Sequence, residues 1–159
     1  MDDVTIARAL HVASVVLWIG GVAMITTVVL PVLRRWPDPA QRLAMFEAIE
    51  GRFGLQARAA VLLAGGSGLY MLVRLELWDR FWALPYWWMH AMVLLWAVFA
   101  TILFVAEPLF LHRWFVRRAQ ASPDRTFRAA HRLHWVLLGF GLLTLLGAVA
   151  GSHGLLLFE

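Results

Sequence analysis

Four long apolar runs dominate this chain, at about Val4–Leu33, Leu55–Leu77, Pro85–Leu111 and Arg128–Leu157, and only short connections separate them. About 20 apolar residues, at roughly 1.5 Å of rise each, cross the hydrocarbon core of a bilayer as a helix. Inside lipid every backbone N–H and C=O must be satisfied within the protein, which leaves helices or closed barrels, and runs of this length and continuity read as helices. The pattern predicts an all-α fold: an integral membrane bundle of four transmembrane helices, a single domain over residues 1–159, with the lipid bilayer as its first partner. Composition agrees, with 62% apolar residues, 15% charged and a mean hydropathy of +0.72. The first run opens on acidic Met1-Asp2-Asp3 and exceeds the length of a signal-peptide core, so it reads as a retained anchor.

Charge sets the expected orientation. All the basic side chains besides histidine are arginines. Arg34, Arg35, Arg42, Arg52, Arg113, Arg117, Arg118, Arg125, Arg128 and Arg132 flank the first and third connections, against Arg8, Arg74 and Arg80 at the other ends of the runs. The positive-inside bias then puts both termini outside, periplasmic for a multi-pass protein of a bacterial inner (cytoplasmic) membrane. In so apolar a chain the pI near 11 is a topology signal, and no nucleic-acid partner is expected. Aromatic belts fit the same orientation, Trp78, Phe81, Trp82, Tyr86, Trp87 and Trp88 outside, Trp36, Trp114, Phe115 and Trp135 inside. Asp38-Pro39 is a helix-start signal, and Leu43, Phe46, Ile49 and Phe53 repeat at helical spacing, which predicts a short interfacial helix at about 39–50. Ser122-Pro123-Asp124 predicts that the fourth helix starts before its apolar part.

The histidines carry the chemistry. With no cysteine, any metal site must use His, Met, Tyr or carboxylates. His11, His90 and His153 each lie five or six residues inside the end of an apolar run, at ends that the tracing puts on one side of the membrane. Ionisable groups are costly there, so three at one depth suggest a ligand site, with His153 the least favoured because it is nearest the C-terminus. A repeat points the same way: His11, Trp18, Pro31 and Arg34-Arg35-Trp36 are echoed by His90, Trp96, Pro108 and His112-Arg113-Trp114. A duplicated helical hairpin with a pseudo-two-fold along the membrane normal would bring His11 and His90 to matched depth. At 100° per residue His11 shares a face with Trp18, and His90 one with Ala97, Thr101, Pro108 and His112.

Haem b with bis-His ligation fits those residues best: His11 and His90 as axial ligands, Trp18 lining the site, and Arg74 and Arg80 near the propionates. Either arginine equally fits an interfacial anchor or a partner for Glu76 or Asp79. Ala60, Ala64 and Gly68, beside Gly65-Gly66-Ser67-Gly68, together with Gly147 and Gly151, permit close approach of helices or of a flat macrocycle. The alternative cofactor is copper, held by His90 with Met89 or Met92 and the other outer histidines, His11 and His153, although Met89, His90 and Met92 cannot all share one helical face. His112, His131 and His134 read as interfacial residues first and as a proton or quinone site second. Glu107, set inside the third run, is expected to pair with Arg58 or with a base of the fourth helix.

The stretch Ala9-Leu10-His11, then Trp18-Ile19-Gly20-Gly21, and the third-helix Trp88-Met89-His90 resemble the HemJ/CopD-like group of small bacterial membrane proteins. The resemblance covers the first and third helices. One branch is a haem-binding protoporphyrinogen oxidase and another is linked to copper tolerance or uptake; His11 matches the first-helix histidine of the oxidase branch. That branch carries a lysine two residues after the position of His90, where this chain has Met92. The expectation is a haem b protein for electron transfer or oxidation near the periplasmic face, exchanging electrons with quinone or another redox partner. The alternatives are a copper-handling transporter or binder and a non-catalytic membrane subunit; small size and glycine-rich faces suit a homodimer. No catalytic triad or phosphate loop is present, which argues against hydrolysis and phosphoryl transfer.

Overall fold

The computed structural model describes residues 3–155, which form four long helical rods. The first comprises α1 (Asp3–Met24), a π-helical segment (Ile25–Val29) and α2 (Leu30–Arg34). The second is α3 (Pro39–Arg74), unbroken for 36 residues. After short 3-10 turns at Leu77–Trp82 and Leu84–Tyr86, the third comprises α4 (Trp87–Thr101), a π-helical segment (Ile102–Leu111) and α5 (His112–Ala121). The fourth is α6 (Pro123–Ser152). Three stretches, Asp3–Arg34, Leu84–Ala121 and Pro123–Ser152, are long and apolar enough to cross a membrane. Among the long rods α3 alone is not, since it carries a polar first third, Arg58, Arg74 and the Gly65-Gly66-Ser67-Gly68 run.

The rods pack in cyclic order. The first lies against α3 and α6, and α4 lies against the same two, so the first and third rods are diagonal neighbours. Trp18 and Phe99 meet across that diagonal edge to face, with ring centroids 4.9 Å apart, inside a core that includes Ile19, Val22, Ala60, Val61, Ala64 and Leu138. A second core closes the arginine-rich end of the bundle, where Phe46, Phe115 and Phe127 stack within 6 Å of one another beside Leu30 and Leu33. Phe46 and Phe127 are both buried. The expected separate helix at 39–50 is therefore corrected. Asp38 caps its start by accepting from the N–H groups of Ala40 and Gln41, but Phe46 is drawn into this core and the helix runs on into the apolar run without a break. The end is tied by Arg42, whose buried guanidinium donates to Asp124 at 2.7 Å and to the Trp36 carbonyl at 2.8 Å. Outside, the rods expose Val16, Leu62, Leu94, Leu146 and many other large apolar side chains, far more than a water-facing surface carries and consistent with contact with lipid.

Glycine notches fix how the rods are rotated. A Cβ on Gly65 would lie 2.5 Å from the Trp96 indole, and one on Gly147 would lie 2.6 Å from Trp87. Gly151 likewise receives Trp88, and Gly21 receives Phe53. Seating Trp88 and Met89 inward turns His90, Leu94, Thr101, Pro108 and His112 outward, so the face that His90 leads is the exposed face of the third rod. Small residues here admit the chain's own indoles.

Both π-helical segments precede or contain a proline, for a common reason. In the first rod the Leu30 N–H bonds to the Ile25 carbonyl five residues back, and Pro31 has no N–H to offer the Thr26 carbonyl. His131 of α6 supplies the donor, its Nε2 lying 2.9 Å from the Thr26 carbonyl oxygen while its Nδ1 accepts from Arg34 at 2.9 Å. In the third rod the register is again five residues, and Pro108 leaves the Leu103 carbonyl without its donor. Here Arg58 of α3 supplies it, Nε to oxygen at 3.2 Å. Each bulge is thus repaired by a basic side chain from a neighbouring rod, α6 for the first and α3 for the third.

Candidate functional site

His11 lies on the buried edge of α1 that also carries Ala7, Ser14, Trp18 and Val22 and faces α3. The small residues of α3 let the ring sit close. Its Nδ1 is 2.9 Å from the Ala64 carbonyl oxygen and 3.2 Å from the Ser67 hydroxyl, and a Cβ on Gly68 would be 3.2 Å from its Cε1. A carbonyl only accepts, so the proton of the neutral ring is held on Nδ1 and the lone pair is left on Nε2. That is the tautomer of a metal-ligating imidazole oriented by a backbone carbonyl. Beside it an open groove of about 330 Å³ runs between α1 and α3, lined by Leu10, Leu63, Gly66, Ser67 and Tyr70 among others.

The other residues expected at this site do not converge on His11. His90 is exposed and packs edge to face on Phe81, with centroids 5.1 Å apart. His153 caps the end of α6, exposed, its Nδ1 at 2.8 Å from the Val149 carbonyl oxygen of its own helix. Met89 is buried and Met92 half-buried, on different sides of the rod from His90. Arg74 donates to Asp3 at 3.1 Å, in a group that also contains the Tyr70 hydroxyl at 2.7 Å from the same carboxylate. Its partner is thus on the first rod and is neither Glu76 nor Asp79. Arg80 stacks on Tyr86 at 4.9 Å. Trp18 is core, not surface. Among the described residues no group of three or more His, Asp or Glu side chains is gathered as a metal would require.

The arginine-rich half carries a second line of polar groups. Glu107, in the π-helical segment, pairs with Arg58, one of the two partners expected for it, and the same guanidinium holds the Leu103 carbonyl. Glu47 and His112 lie 3.7 Å apart near the end of the bundle. Glu50, in the part of α3 that precedes the apolar run, has its carboxyl pushed above the usual carboxylate range. Burial is the main cause; His112 and Arg58 oppose it, and Glu107 and Glu47 add to it. His134 turns back to the Ala130 carbonyl of its own helix at 2.9 Å. Sequence reasoning missed the His131 and Arg58 repairs. The signal was a proline five residues after a carbonyl in each rod, but the donor's identity depends on which rod stands opposite.

A haem fits this site in part. His11 presents an imidazole whose Nε2 is left free to ligate, whereas the buried indole N–H groups of Trp18 and Trp88, without an acceptor among the described residues, are closed inside the packed core away from it. The glycine notches, however, are already filled by Trp87, Trp88 and Trp96, so no slot for a macrocycle lies between those rods. His90 faces away from the bundle interior. No known protein family, curated protein or solved structure matches the chain.

Proposed function

We propose that the chain is a four-pass membrane protein with both termini outside, and that it binds a b-type haem through His11 for electron transfer or oxidation near the outer face. The observation that carries this reading is the His11 imidazole, held by the Ala64 carbonyl with Nε2 left to ligate. Bound haem would supply one-electron chemistry, with His11 as the residue that would hold it. The protein's own contribution is to fix the imidazole tautomer and orientation through the Ala64 carbonyl and the Ser67 hydroxyl. Quinone is the redox partner that a lipid-facing groove beside His11 would suit. The resemblance to HemJ/CopD-like proteins at Ala9-Leu10-His11 and Trp88-Met89-His90 supports the same reading, and the oxidase chemistry of one branch belongs to the proposal.

The test is an oxidised and reduced absorption spectrum of detergent-purified protein, with a pyridine haemochrome assay and copper analysis on the same sample. A b-type Soret band in near-stoichiometric amount, lost in His11→Ala and kept in His153→Ala, is the expected result. A protein that remains haem-free after reconstitution overturns it, and stoichiometric copper in that sample would favour copper handling instead.

A further inference from the structure

The corner where the first rod ends is an open groove of about 430 Å³, lined by Thr27, Val28, Pro31, Val32, Arg35, Trp36 and Pro37. Its long wall is apolar and lies on a stretch long and apolar enough to span a membrane. Its mouth is cationic. Arg34 is turned to His131, whereas its neighbour Arg35 is exposed, with no acidic or hydrogen-bonding side-chain partner among the described residues. The other polar groups at the groove are committed. The Thr27 hydroxyl donates to the Ala23 carbonyl at 2.8 Å, and the Trp36 indole N–H donates to Gln41 at 3.2 Å. Asp38, the nearest acid in sequence, is spent on capping α3. An apolar trough at helix depth, with an uncommitted guanidinium and an indole at its interfacial mouth, matches the two halves of an anionic lipid: acyl chain along Val28, Pro31 and Val32, phosphate at Arg35. The charge around it has the right sign, since Arg113, Arg117, Arg125, Arg128 and Arg132 are also exposed at this end.

We propose that this groove is a binding site for one anionic phospholipid, with Arg35 as its headgroup ligand. The proposal rests on the membrane-spanning reading and is independent of haem and of orientation. Native mass spectrometry of the detergent-purified protein mixed with phosphatidylglycerol or phosphatidylcholine tests it. One phosphatidylglycerol is expected to survive on the wild type in preference to phosphatidylcholine. Arg35→Gln should lower that fraction by about fivefold to tenfold, the loss of one guanidinium–phosphate contact. Arg8→Gln, exposed at the opposite end of the first rod, should leave it unchanged, and Val32→Trp, which fills the trough and keeps the charge, should lower it too. Equal retention of the two lipids, retention undiminished in Arg35→Gln, or displacement of the lipid by excess inorganic phosphate would each overturn the proposal, the last by making a free anion the ligand. Reconstitution separates the two failures. A chain that does not enter bilayers removes the membrane-spanning reading, whereas one that inserts but shows no preference for the anionic lipid removes this site alone.

Discussion

Gly65 and Gly66 are adjacent on one helix and answer to different constraints. A methyl on Gly65 would press on the Trp96 indole, which is itself held by a 2.9 Å hydrogen bond to the Val61 carbonyl; a methyl on Gly66 meets open space. Overpacking of this kind costs about 1–3 kcal/mol, whereas removing a glycine from a helix interior gains up to about 1 kcal/mol. Gly65→Ala should therefore lower the thermal unfolding temperature in detergent, and Gly66→Ala should leave it unchanged or raise it. Glu50 makes the second test at this scale. A carboxyl whose pKa is raised on folding favours the folded state most below its ordinary pKa, and that contribution is lost as pH rises through the raised value. Stability should fall over that window in the wild type, and Glu50→Gln, neutral throughout, should flatten the profile and be the more stable protein at neutral pH. If the two pH profiles were superimposable, burial of Glu50 would have no energetic consequence. These differences were not legible in the residues, because adjacent positions of a helix are separated only by the neighbour each one meets.

At the scale of the element, the two proline-bearing bulges borrow a donor from another rod. Prolines inside spanning helices are tolerated where neighbouring side chains satisfy the freed carbonyl, and here Arg58 and His131 do so. Arg58 serves two acceptors, the Leu103 carbonyl and Glu107. Its removal by Arg58→Met leaves both without their donor, at a cost of roughly 1–3 kcal/mol. Glu107→Gln should cost less in the presence of Arg58, because the amide oxygen still accepts from the guanidinium. In a double-mutant cycle on thermal stability the two substitutions should be non-additive by more than about 0.5 kcal/mol; additivity would mean that the pair contributes nothing. Glu107 alone in the third run announced the need for a cation, and the pairing with Arg58 was readable to that extent. The second role of Arg58 was not, because which side chain reaches the Leu103 carbonyl freed by Pro108 depends on the rod that stands opposite.

For the whole molecule, the arginine asymmetry makes a directional prediction. The chain has no cysteine, so single cysteines report without background. An impermeant maleimide applied to spheroplasts should label Asp79→Cys, in the turn between the second and third rods, and should reach Ala40→Cys, at the start of α3, only after permeabilisation. The opposite pattern would invert the orientation, and labelling of both from one side would remove one of the four crossings.

The residues by themselves determined the solvent and the class of fold. Apolar runs of this length satisfy their backbones by bonding within the segment itself, so helicity needs no knowledge of the partner. The same locality made the ends of the bundle and the charged end of each run visible. Tertiary structure decided the rotation of each rod, and with it which residues of the proposed site face inward. His11 and His90 look equivalent in the sequence, yet His11 is seated against Ala64, Ser67 and Gly68, while His90 is turned outward because Trp88 and Met89 take the interior and Trp88 fills the notch at Gly151. A notch on one helix selects which face of another is buried, and that choice is a property of the pair, absent from either segment taken alone.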